Sequence, residues 1–372
     1  MKPVRRMVSG LLLALLASAA LLGLGEASLR IAARLRHGVW PHTRAVDFYA
    51  QILLLRQIYR GHAYLNTAPR EGGAVAAFGK SAVINRRGYR SPERGLDKPP
   101  GVVRILAAGG STTFDISAAD DATAWPNRLE ETLRASGSNA EVWNAGFPGW
   151  TSQENLISLA IRDLDLAPDL VILYQGINDL QPASHVPFDP TYEHGHAELA
   201  HRALGLELQP PSWPARSLLL ERLGDATHGP SDPWNALAAA SSSGPRREEI
   251  GPAGLATFER NLRSIVALAR SRGARVLLVT QPIRIRAARR KADLRYLADW
   301  YPELEPNAAP AQLERLNDVT RKLAAEGLAT LADAAREVPW EDQDFSDPLH
   351  TGDSGRRRLV DFLAPRVEAA LR

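Results

Sequence analysis

The sequence predicts an α/β protein, a parallel sheet covered by helices on both faces and preceded by an N-terminal membrane helix. From Val102 onward, short apolar runs alternate with stretches whose apolar residues recur at helical spacing, the pattern of repeated strand-helix units. Several of these runs stop abruptly at Gly109-Gly110-Ser111, Asn144-Ala145-Gly146 and Gly176-Ile177-Asn178-Asp179. In an open parallel sheet the carboxyl ends of the strands converge on one crevice. Before all this lies an uncharged apolar run from Met7 to Gly25.

Lys2, Arg5 and Arg6 precede that run, which at about 1.5 Å per residue crosses most of a hydrocarbon layer about 30 Å thick. Basic residues ahead of it favour a cytoplasmic amino terminus and export of the rest, although Arg30, Arg34 and Arg36 beyond it dilute the asymmetry. Ala17-Ser18-Ala19 could serve a signal peptidase. It sits inside the run, however, and Leu21, Leu22 and Leu24 continue past it. Residues 1–36 are therefore expected to be an uncleaved signal anchor and the start of a stalk, with secretion after cleavage as the alternative. Residues 37–100 read as a membrane-proximal region: helical pieces around Ile52 and Ile58, an extended piece at Ala82–Ile84, and a stiff break at Lys98-Pro99-Pro100-Gly101.

The main domain, 101–372, opens with a strand from Val102 to Ala107. Pro126, Leu129 and Leu133, with Gly137 beyond them, mark a helix. Val142-Trp143 is a short strand, Ser152 can cap a helix carrying Leu156 and Leu159, and Leu170–Tyr174 is a buried strand. The alternation lapses between about 181 and 252, an insertion rich in Pro, His, Ala, Ser and Gly that is expected beside the site, part lid and part loop. Phe258, Leu262, Ile265 and Ala269 then share a helical face that stops at Gly273. Val276–Val279 is the next strand, Pro310 opens a helix, Leu328–Leu331 is the last strand, and a final helix runs from Ser354 to Leu371.

At 372 residues and 45% apolar content the chain can bury a large core, and its net charge of +3, from 45 basic and 42 acidic residues, gives no reason to expect nucleic acid as a partner. The absence of cysteine excludes disulfides, thiolate metal sites and a cysteine nucleophile. His194, His196 and His201 have no acidic ligand pattern beside them, so they read as loop, and neither metal nor cofactor is expected. The basic run Arg284, Arg286, Arg289, Arg290, Lys291 and Arg295 reads as a solvated helix face. Among Trp125, Trp143, Trp150 and Trp234, only Trp150 is placed to touch a substrate; the others read as packing.

A strand that turns at Gly109-Gly110 can present the Ser111 hydroxyl at the sheet edge. That hydroxyl needs a base, and His350 is the best candidate, with Asp347 three residues earlier to hold its other ring nitrogen. Acyl transfer also needs donors around the carbonyl oxygen, and the Ser111 N–H, the Gly146 N–H and the Asn178 amide are available.

Gly-Gly-Ser111-Thr-Thr, Asn-Ala-Gly146-Phe-Pro-Gly, Gly-Ile-Asn178-Asp and Asp347-Pro-Leu-His350 resemble, in order, the four sequence blocks of the SGNH/GDSL hydrolases, over Val102 to the carboxyl end. Ile84-Asn85-Arg86-Arg87-Gly88-Tyr89-Arg90 is similar to a stretch preceding the serine block in membrane-anchored bacterial members. The resemblance implies a flavodoxin-like three-layer α/β/α sandwich in which Ser111 is the nucleophile, His350 the base and Asp347 its support, with Ser111, Gly146 and Asn178 forming the oxyanion hole. It departs at Gly110, where the family commonly has aspartate. The implied activity is that of a serine esterase acting through an acyl-enzyme, its ester substrate an O-acetylated or otherwise acylated glycan or lipid of the cell envelope. The implied location is the extracytoplasmic side of a bacterial inner membrane. The alternatives are an O-acyltransferase using the same triad and a non-catalytic envelope-binding protein.

Overall fold

In the computed structural model of the chain, residues 2–37, 40–65, 67–77, 80–192, 210–228, 245–284 and 291–372 are described. They fall into two compact units, one drawn from Met1–Leu53 and Leu206–Leu237 and the other from Leu54–Gly205 and Ala238–Arg372.

The first unit begins with α1 (Lys2–His37), whose Val8–Arg36 stretch has a mean hydropathy of 2.2 and is long and apolar enough to cross a membrane. None of its most apolar window is buried against protein. After it comes α2 (Arg44–Ile58), which the unit boundary divides at Leu53. Residues 210–228 of the insertion fold back onto these elements. At the amino end of the Leu218–His228 helix, the Glu26 carboxylate accepts from Ser217 Oγ (2.9 Å), Leu218 N (3.1 Å) and Leu219 N (2.8 Å). Those backbone hydrogens have no partner inside the helix, and an anion is the favoured cap there. Arg30 donates to Arg216 O (2.7 Å), Thr43 Oγ1 to Ala215 O (2.6 Å) and Arg44 N to Glu221 (2.8 Å).

The second unit is organised by five parallel strands: β1 (Val103–Gly109), β2 (Ala140–Asn144), β3 (Leu170–Tyr174), β4 (Arg275–Val279) and β5 (Thr330–Ala332). Their order is β2-β1-β3-β4-β5, the flavodoxin-like order, with its switch point between β1 and β3. Gly109 lies opposite Tyr174 in the ladder and Ala107 opposite Asn144, so three strand ends finish almost level and their loops emerge side by side. The helices α3 (Trp125–Ala135) and α7 (Asp353–Leu371) cover one face of the sheet through Leu129, Leu133, Leu359 and Leu363. On the other face lie α4 (Ser152–Ile161), α5 (Pro252–Ser271) and α6 (Ala309–Ala325), with Leu159, Phe258, Leu262, Leu313 and Leu316 in that core. A third apolar cluster joins Ile58, Leu65, Ala82 and Ile84 of the membrane-proximal region to Phe114, Phe147 and Trp150.

Two boundaries differ from expectation for identifiable reasons. Thr151 caps α4 in place of Ser152, because Glu154 returns a bond to its backbone N–H (2.7 Å) and completes a capping box. The last strand begins at Thr330, since α6 ends through Gly327 at φ +74° and residues 328–329 are spent on the connection.

Candidate active site

The turn after β1 is built by close approach. A Cβ on Gly109 would fall 2.2 Å from Thr113 Oγ1 and 2.4 Å from Tyr174 O, and one on Gly110 would fall 2.3 Å from Asn178 Nδ2. Both positions therefore hold glycine. Ser111 begins a single helical turn, Ser111–Phe114, so its N–H has no acceptor within that turn. The turn ends at Asp115, φ +63°, whose buried carboxylate accepts from Trp125 N (2.9 Å) and faces Arg356 (3.4 Å). Burial outweighs the neighbouring Arg356 and raises the Asp115 pKa above the ordinary carboxylate range.

Ser111 Oγ lies 2.7 Å from His350 Nε2, and His350 Nδ1 lies 2.7 Å from Asp347 Oδ2. The other carboxylate oxygen accepts from the backbone N–H groups of Leu349 (2.8 Å) and His350 (2.9 Å). Burial would raise the Asp347 pKa, but the His350 bond and charge with these two N–H groups outweigh it and hold the carboxyl below its usual range. An ionised Asp347 places the ring hydrogen on Nδ1 and leaves Nε2 to accept from the serine. Arg284, paired with Asp293, braces the same loop by donating from its backbone N to Pro348 O (2.9 Å) and from Nη1 to Phe345 O (3.2 Å). One member of the basic run is thus a buried strut rather than a solvated cation.

Asn178 reaches the same corner and donates one amide hydrogen to Trp150 O (2.8 Å). Gly146 does not present its N–H there. That hydrogen goes to Asn144 Oδ1 (3.1 Å), in the local turn an Asn-x-Gly sequence favours. Gly146 is small for a different reason: a Cβ would fall 2.4 Å from Phe114 N, against the back of the serine turn. From this loop the Trp150 carbonyl reaches Gly110, 3.2 Å from a Cβ built there, and Gly149 before it is half-buried at φ +84°. Trp150 itself is 1% exposed and gives its indole N–H to Thr67 O (2.8 Å), so it packs in the core and is not placed to touch a substrate.

Behind Asn178, the buried Asp179 accepts from Ser152 N (3.0 Å), Ser152 Oγ (2.5 Å) and Gln175 Nε2 (2.8 Å). Gln175 also donates to Trp150 O (3.1 Å), linking this cluster to the Asn178 amide. Burial pushes the Asp179 pKa up to about 7, against the pull of those donors. A folded-state pKa above the unfolded value of about 4 stabilises the fold at low pH and loses that contribution as pH rises through about 7. Thermal stability should therefore fall between pH 5 and 8. Asp179→Asn should be less stable at pH 5, because it sets an amide against the surrounding donors, and should show a flatter pH profile; melting curves of the two proteins across that range check both expectations.

Two contributors were not evident from the sequence. Gln281, just past β4, donates to Thr112 Oγ1 (2.7 Å) and accepts from Ile177 N (2.6 Å), coupling the serine turn to the asparagine turn. Arg90, 2% exposed, donates to Phe114 O (3.0 Å), Asp115 O (2.8 Å), Ser81 O (2.9 Å) and Asp121 (2.7 Å), its guanidinium 4.8 Å from the centre of the Phe114 ring. It clamps the end of the serine turn to the hairpin formed by Ala74–Ala77 and Lys80–Val83. The rest of that motif serves the same join: Asn85 Oδ1 accepts from Arg87 N and Tyr89 N (both 3.0 Å), and Tyr89 donates to Asp163 (2.8 Å).

Trp125 and Trp143 are fully buried. His194, His196, His201, Trp234, Arg286, Arg289 and Arg290 lie outside the described residues. Among the described residues there is no group of three or more His, Asp or Glu side chains that could hold a metal ion.

A flavodoxin-like sheet with a hydroxyl, an imidazole and a carboxylate in hydrogen-bonded sequence at its switch point is an architecture of serine-dependent hydrolases. Residues 107–358 match the model of the GDSL-like lipase/acylhydrolase family, and the chain belongs to that family as an ester hydrolase. It is similar in fold to a lipase/acylhydrolase from Enterococcus faecalis, at 18% identity and a TM-score of 0.43, over 72% of this chain and 96% of that one. An acetyl xylan esterase is also similar, at 15% identity and a TM-score of 0.40, over 71% of this chain and all of the other. A comparison of the sequence with curated proteins finds no match.

Proposed function

We propose that Ser111 is the nucleophile of a serine esterase, His350 its base and Asp347 the group that orients and supports the imidazole. The observation that carries this is the unbroken chain of two 2.7 Å contacts from Ser111 Oγ through His350 to Asp347. As Oγ attacks the ester carbonyl carbon, its proton passes to His350 Nε2, and the carbonyl oxygen becomes an anion received by the Ser111 N–H and the second amide hydrogen of Asn178. Because the Gly146 N–H is engaged by Asn144, this reading has two oxyanion donors, and Gly146 contributes by letting the loop pass close. Collapse of the intermediate breaks the bond to the alcohol oxygen, which takes the proton from His350. The acyl group is left on Ser111, and water, activated by the same imidazole, releases it.

The substrate in this reading is an O-acetyl or other acyl ester on a glycan or lipid of the cell envelope, with α1 as the membrane anchor and the domain bearing Ser111 on the extracytoplasmic side. The apolar Val8–Arg36 helix supports that placement. Incubating the full chain in detergent with a fluorophosphonate should label Ser111 alone and abolish hydrolysis of p-nitrophenyl acetate. Full hydrolysis after complete labelling, or an adduct on a different residue, rules the assignment out. Product analysis with an acetylated oligosaccharide and a free sugar acceptor separates release to water from transfer to a hydroxyl.

A further inference from the structure

The first unit carries an apolar and basic surface that no part of the proposed chemistry uses. Trp213 is 75% exposed and Leu223 51%; Trp40, Leu35 and Ile31 are 58%, 82% and 52% exposed. Large apolar side chains this exposed and this close in one small unit mark a surface that meets something other than water.

Their level along α1 says what it meets. The Leu218–His228 helix docks where the apolar run ends: a Cβ on Gly25 would touch Leu219 at 3.2 Å, Glu26 caps the helix, and Arg30 holds Arg216 O (2.7 Å). Eighteen residues from Val8 to Gly25 span about 27 Å at about 1.5 Å per residue, close to the thickness of a hydrocarbon layer. A span centred in the bilayer puts Gly25 at its boundary, and the docked helix with it. Tryptophan is enriched at that level in membrane proteins, its ring in the headgroups and its N–H in water. The charges agree. Glu26 is paired with Arg30, while Glu221 and Asp225 share Arg44, so two arginines offset all but one of the three carboxylate charges beside the docked helix. Arg34, Arg36, Arg216 and Arg222 are exposed, and Arg34 lies 5.9 Å from the centre of the Trp40 ring.

We propose that residues 210–228, docked on α1 at Gly25 and Glu26, form a collar that seats in the headgroup region of a phospholipid leaflet, with Trp213 and Leu223 entering the interface and Arg216 and Arg222 binding anionic headgroups. The inference rests on the anchor reading of α1.

The chain has no native cysteine, so single labels report unambiguously. Full-length Trp213→Cys, Leu223→Cys, Leu16→Cys and Val83→Cys would each carry a polarity-sensitive fluorophore and be reconstituted in vesicles of phosphatidylethanolamine and phosphatidylglycerol. Val83, 50% exposed in the other unit, is the aqueous control. Labels at 213 and 223 should be quenched by spin-labelled lipid with the spin near the headgroup, at least about fivefold more than the label at 83, and less strongly once phosphatidylglycerol is omitted. The label at 16 should be quenched by lipid with the spin deep in the acyl chain. If 213 and 223 are instead quenched by aqueous iodide as 83 is, while 16 remains lipid-quenched, the collar is wrong and the anchor stands. If 16 is also open to iodide, the anchor fails and the collar with it. Ester hydrolysis by each labelled protein reports that the unit bearing Ser111 is folded, and positions 213 and 223 test the same surface independently.

Discussion

Ser111→Ala lowers kcat for p-nitrophenyl acetate by about 10³-fold or more while the protein melts within a few degrees of the parent, and His350→Ala does nearly the same. The size follows from what each atom supplies. Without Oγ no acyl-enzyme forms; without Nε2 the hydroxyl must attack still carrying its proton. The two act as one device, so the double variant should be hardly worse than either single one, leaving the activity due to substrate binding and the oxyanion donors. The check is steady-state kinetics of the three variants beside their melting curves. Folded Ser111→Ala with parental turnover would remove the hydroxyl from the mechanism.

Arg90→Lys gives the second large effect, and it falls on turnover. The guanidinium reaches four acceptors at once, two of them the carbonyls of Phe114 and Asp115 at the end of the serine turn. A lysine keeps the charge but lacks the planar fork needed to hold both carbonyls and Asp121 together. The turn then shifts by a fraction of an ångström, enough to move Oγ off His350, and kcat should fall roughly tenfold to a hundredfold with KM changed less than about twofold. Arg90→Met removes the donors altogether and leaves the carbonyls of Phe114, Asp115 and Ser81 without them, which should cost about 3 kcal/mol or more of stability. Kinetics and denaturant unfolding of both variants separate the two effects. Equal loss of kcat and affinity in Arg90→Lys would mean that the residue acts on substrate binding, not on the serine.

The strands were legible because β3 and β4 are almost wholly apolar and their ends carry glycine or small polar residues. Their order was not, since nothing in the alternation says that β1 lies between β2 and β3; that came only with the family resemblance. Proximity of Ser111, His350 and Asp347 was likewise argued from chemistry and resemblance, because the first two are 239 residues apart. Other features are written locally in the sequence. Thr151-x-x-Glu154 is a capping box, which outranks Ser152 as the helix start. Asn144-Ala-Gly146 is a turn that spends its own glycine hydrogen, so the same three residues that mark the loop also disqualify that donor. Arg90 could not have been found this way, because its acceptors lie 24, 25 and 31 positions downstream and 9 upstream, with no period connecting them.

The glycine before the nucleophile has a consequence for exchanging residues with relatives that carry aspartate there. A side chain at 110 and the present seat of the Asn178 amide compete for one volume, 2.3 Å apart where contact needs more than 3 Å. Substitutions at 110 and 178 are therefore epistatic: each alters the background in which the other is read, and their separate effects on rate will not sum. A chimera that imports the aspartate alone inherits half of a paired arrangement and must relocate its amide before it can work.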